Sequence, residues 1–85
     1  MGFLMNLKRK TQGEAHLRVI FNSGPPYNQI AFSMLKWTLE DRGLELNDEV
    51  MRSAQVESDK YPDLKVAAFV DGIANQRMNN LLRGG

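Results

Sequence analysis

Few residues in this chain of 85 have the types and spacing that chemistry needs. The densest group is Asn22-Ser-Gly-Pro-Pro-Tyr-Asn28, a polar and proline-stiffened stretch between two apolar runs. Read as a strand-to-helix turn, it would aim the free N–H groups of the next helix at a ligand, where the helix dipole favours an anion. Pro25 and Pro26 remove two of those donors, so the stretch suits a shaped binding rim better than a phosphate cradle. Ser23, Gly24, Pro25, Pro26, Tyr27 and Asn28 are the candidate binding residues of that rim. Asp71 and Asn75, after a second apolar run, would join Ser23 and Asn28 in one polar pocket if the two runs were parallel neighbours in a sheet.

Other chemistries find less support. His16 is the only histidine and has no second ligand at metal spacing, so no metal site is expected; without a serine or aspartate partner in view, neither is a catalytic triad. The absence of cysteine removes thiol nucleophiles, persulfide carriers, thiolate metal sites and disulfides. No catalytic residue and no cofactor is therefore assigned, and the chain is not expected to be an enzyme. Lys8-Arg-Lys10 has no interleaved aromatics, which leaves nucleic acid an unpromising partner. The terminal Leu81-Leu-Arg-Gly-Gly85 keeps open a ubiquitin-like modifier or sulfur carrier that uses its diglycine carboxylate.

A single small domain over residues 1–85 must position these groups, with residues 1–5 contributing little to it. A chain of this length buries only about 60% of its unfolded surface. Eleven Lys and Arg against ten Asp and Glu leave a net charge of +1, too small for a global field that recruits nucleic acid or an anionic membrane. The charge is uneven along the chain. Residues 1–36 carry five bases against Glu14, whereas residues 37–63 carry eight acids against Arg42, Arg52 and Lys60. Such a dipolar surface suits head-to-tail or complementary-partner association. No run approaches the ~18 apolar residues of a membrane span, and Met1–Met5 is too short for a signal-peptide core, so a cytoplasmic protein is expected.

The pattern predicts the elements in turn. His16–Phe21, with β-branched Val19 and Ile20 before turn formers, predicts a strand, which Phe3–Lys10 would pair with as a hairpin. Pro26–Arg42 predicts a helix, with Ser23 or Gly24 near its cap and Gly43 as its left-handed stop. Its apolar side chains spread over more than half the circumference, more than one sheet face covers. Ile30, Phe32, Met34 and Trp37 are thus the candidate interface, with Phe32 and Trp37 expected in a core rather than stacked on bases. Asn47-Asp-Glu opens a short helix that ends before Pro62. The five apolar residues Val66–Val70, closed by Asp71-Gly72, predict a central strand covered on both faces. Ala74, Met78, Leu81 and Leu82 share a face of a short final helix. The expected architecture is α/β, a short and mostly parallel sheet flanked by two to three helices. An α+β, β-grasp-like arrangement is the alternative, suited to the diglycine reading.

Val19-Ile-Phe-Asn-Ser-Gly-Pro-Pro-Tyr27, followed by an apolar helix ending in Asp41-Arg-Gly43, resembles the opening of the DsrE and TusD-like sulfur-relay proteins. Val66-Ala-Ala-Phe-Val-Asp-Gly-Ile-Ala-Asn75 is similar to their second strand and its Asp-Gly turn. The resemblance implies a parallel α/β sheet, a cytoplasmic location, oligomerisation and a small-molecule or sulfur-transfer context. Active members of the family use a cysteine, so the resemblance carries fold and association over to this chain rather than sulfur chemistry. The function expected is a protein-interaction or regulatory module, binding a protein partner or further copies of itself through the apolar helix and the Gly-Pro-Pro-Tyr rim.

Overall fold

The computed structural model describes residues 13–84. Among these residues four helices follow one another, α1 (Val19–Asn22), α2 (Tyr27–Asp41), α3 (Asp48–Lys60) and α4 (Val66–Gly84). No sheet forms among the described residues, where the sole β pairing is one antiparallel bridge between His16 and Lys65. The expected parallel α/β fold is thereby corrected to a small all-helical one, and the β-grasp alternative falls with it. The hairpin strand proposed for Phe3–Lys10 lies outside the described residues.

The physical reason is clearest at Val66–Val70. Val66, Phe69 and Val70 are buried, whereas Ala67 is half-buried and Ala68 exposed. That is spacing of three and four residues, the period of a helix with one inward face. Ala68 is apolar by type but small enough to face outward at little cost, and Ala67 lies against Gly13 rather than in the core, so the two disguised the period as a continuous run. Asp71-Gly72 is likewise no turn; Gly72 sits inside α4 with no atom near its missing side chain.

The other predicted strand reduces to a brace. Leu17 N–H donates to the Leu64 carbonyl at 2.8 Å, and the amides of Val66 and Ala67 donate to the carbonyls of Ala15 and Gly13 at 2.9 and 3.0 Å. Residues 13–17 thus satisfy the first two orphan donors of α4 through their backbone carbonyls. Beyond the bridge the chain turns into α1 rather than extending. Asn22 Nδ2 donates to the Arg18 carbonyl at 3.0 Å, and Ser23 N–H donates to Val19 at 3.2 Å, closing one helical turn. Pro25 and Pro26 have no amide to offer a sheet, so nothing rewards continuing a strand here.

α2 starts after Pro26, its N-cap residue, with no side-chain cap from Ser23 or Gly24. It ends in a Schellman motif. Leu44 N–H donates to Leu39, Gly43 N–H donates to Glu40, and Gly43 adopts φ +70°. α3 is capped by Asn47, whose Oδ1 accepts the Val50 amide at 2.9 Å, with Asp48 and Glu49 placed favourably in the first turn.

Leu35 and Leu39 of α2, Val50 and Ala54 of α3, Val66, Phe69 and Val70 of α4, and Leu17 of the brace form one core. Ala31, Leu35, Thr38 and Leu39 are the buried residues of α2. Its buried face is therefore far narrower than its apolar surface. Thr38 hydroxyl donates to the Met34 carbonyl at 2.7 Å, which makes its burial tolerable.

Candidate functional site

The rim predicted between the first apolar run and the long helix exists as a connector. Ser23 is half-buried, Gly24, Pro25, Pro26 and Tyr27 are exposed, and Asn28 is half-buried in the first turn of α2. Asp71 and Asn75 do not join it. Asp71 Oδ1 accepts a hydrogen bond from Arg42 Nε at 2.6 Å, beside the C-terminal end of α2. The rim lies at the other end of that helix, and fifteen residues separate the two by about 22 Å. The polar pocket that would have gathered Ser23, Asn28, Asp71 and Asn75 required parallel strands and is not formed.

A different depression lies beside the rim. Ile20 and Phe21 of α1, Asn28 and Phe32 of α2, and Met51 of α3 line a shallow pocket of about 420 Å³. Asn28 Oδ1 is shielded from solvent there and accepts no hydrogen bond. A shielded acceptor without a donor is a local cost to the fold rather than a contact offered to a ligand.

The predicted interface residues of α2 divide into two pairs. Ile30 and Phe32 are exposed, while Met34 and Trp37 are half-buried. Phe32 is therefore not the core residue expected of it. His16 is exposed at the bridge, and among the described residues no group of His, Asp and Glu side chains is arranged to hold a metal ion.

The feature that sequence reasoning undervalued is the length of α4. Its first half supplies Val66, Phe69, Val70 and the partly buried Ile73 to the core. From Asn75 through Leu82 every residue is exposed. Met78, Leu81 and Leu82 project with 62%, 72% and 80% of their surface open. Together with half-buried Ala74 they form the apolar face expected of a final helix, and among the described residues its three large side chains remain exposed. Alongside the first half, α3 and α4 enclose a groove of about 290 Å³, floored by Leu64, Ala68, Phe69 and Ile73 and rimmed by Glu57 and Tyr61.

The Leu81–Gly84 segment is the helical end of α4. No helix among the described residues is long and apolar enough to cross a membrane. Comparison with known proteins brings no match: no family model, curated protein or solved structure is similar to this chain.

Proposed function

We propose that this chain is a non-catalytic protein-interaction module whose docking element is the C-terminal half of α4. The observation that carries this reading is the exposure of Met78, Leu81 and Leu82 on a helical segment that no other described part of the chain supports. An isolated helix shorter than about 12–15 residues is marginal in water. A partner that covers the apolar face supplies the missing support. Tyr27, Ile30 and Phe32 offer a second exposed surface, but they sit on a helix already held by its buried face, so it needs no such partner.

A photo-crosslinking side chain placed at Met78 in the living cell tests the proposal. A discrete adduct is expected from position 78, and none from a control at exposed Lys36 on the polar face of α2. Absence of adducts from positions 78, 81 and 82 in a folded chain would refute the reading.

A further inference from the structure

Resting on that reading, we infer that the partner is a second copy of this chain, with the α4 arm of one copy seated in the α3–α4 groove of the other. The two surfaces lie on one helix yet cannot meet within it. At 3.6 residues per turn, the groove positions Ala68, Phe69, Gly72 and Ile73 and the stripe positions Ala74, Met78, Leu81 and Leu82 point roughly 170° apart around α4. A straight helix cannot fold its own stripe back into its own groove. Another copy brings the same two surfaces together without strain.

Charge selects this pairing. Residues 72–85 hold no acidic residue, and the arm carries Arg77. Glu57 is the only charged side chain lining the groove. The helix behind it, α3, bears Asp48, Glu49, Glu57 and Asp59 against Arg52 and Lys60. Neither Glu57 nor Arg77 has a salt-bridge partner among the described residues. The basic arm and acidic groove are complementary, whereas two arms laid side by side would oppose like charges. Dimensions agree as well. The arm from Asn75 to Leu82 and the groove wall from Ala68 to Gln76 are each about 12 Å long at 1.5 Å per residue. Open Ala68 and Gly72 in the floor leave room for the larger Met78, Leu81 and Leu82.

Head-to-tail pairing of this kind has a specific test. Leu82→Glu disables the arm at an exposed position, and Gly72→Arg fills the groove where no atom lies near an added side chain. In light scattering with size separation, the unmodified chain associates as concentration rises. Each variant alone stays monomeric, since it retains one half of the contact. Mixed, the two variants form a one-to-one heterodimer through the intact groove of the first and the intact arm of the second. Arg77→Glu weakens association about tenfold, and Glu57→Lys in the receiving copy recovers it. A mixture that stays monomeric, or self-association by Leu82→Glu alone, overturns the inference. So does an adduct from position 78 that contains only a different protein, an outcome that leaves the interaction reading standing. No adduct of any kind sinks both.

Discussion

Gly13 and Ala67 are fitted to one another: a Cβ on Gly13 would stand 2.6 Å from the Ala67 Cβ, while the Gly13 carbonyl accepts the Ala67 amide at 3.0 Å. Gly13 also adopts φ +83°. The left-handed backbone and the close approach fall on one residue, and the brace on the start of α4 depends on both. Gly13→Ala is expected to cost about 3 kcal/mol, combining a left-handed penalty with overpacking against a short, rigid side chain. Gly43 shares the left-handed conformation but has open space around it. Gly43→Ala should therefore cost only about 1–2 kcal/mol. Denaturant melts of both variants decide the point, and equal losses would mean that the Ala67 contact contributes nothing.

Asn47 caps the start of α3 with its side chain, whereas α1 and α2 begin without one. Asn47→Ala should lower stability by about 1 kcal/mol by orphaning the Val50 amide, and Asn47→Asp should retain most of it. Matched losses in the two variants would remove the capping explanation.

Asn28 carries the opposite expectation. Its shielded Oδ1 has no donor, and alanine is the better helix former in the first turn of α2. Asn28→Ala should leave the melting midpoint unchanged or raise it, by up to about 1 kcal/mol of stability. A clear loss would show that the amide has a bonding role.

Arg42 and Asp71 tie the end of α2 to the middle of α4, but their side chains are 36% and 54% exposed. Exposed pairs contribute about 0.2–1 kcal/mol, and salt screens them. A double-mutant cycle with Arg42→Ala and Asp71→Ala should return a coupling in that range which shrinks as ionic strength rises. A coupling that salt does not change would contradict a solvent-screened pair.

The two ends of the burial range should respond differently to the same substitution. Leu35→Ala empties a fully buried site and should cost about 2–5 kcal/mol. Leu82→Ala, at concentrations where the chain is monomeric, should stay within about 0.5 kcal/mol of the unmodified protein. A large loss from Leu82→Ala under those conditions would mean that the arm folds back on its own chain.

The helices with local punctuation were legible in the sequence. Gly43 marked the end of α2, Asn47 the start of α3 and Pro62 its limit, because each residue acts through its own backbone geometry. Val66–Val70 was not legible, because Ala67 and Ala68 count as apolar yet stand outside the core cluster. His16–Phe21 misled for another reason. The preference of Val19 and Ile20 for strands is a preference for a half-buried pleated neighbour, and the described residues provide only the bridge between His16 and Lys65. Of the candidate site, the rim residues were found where expected along the chain. Their union with Asp71 and Asn75 failed, since it depended on long-range pairing that no local pattern encodes. The apolar face of Met78, Leu81 and Leu82 was visible from spacing, but its exposure became evident only once the rest of α4 had its place.

That continuity makes α4 one helix with two stabilities. Amide protons of Val70 and Ile73 are expected to exchange with solvent only when the core opens, whereas those beyond Met78 should exchange through fraying that leaves the core intact. Gly72, with no side chain to restrain the backbone, lies near the boundary. Whatever binds the arm should therefore be recorded as slowed exchange over its last two turns, against an unchanged background in the first three.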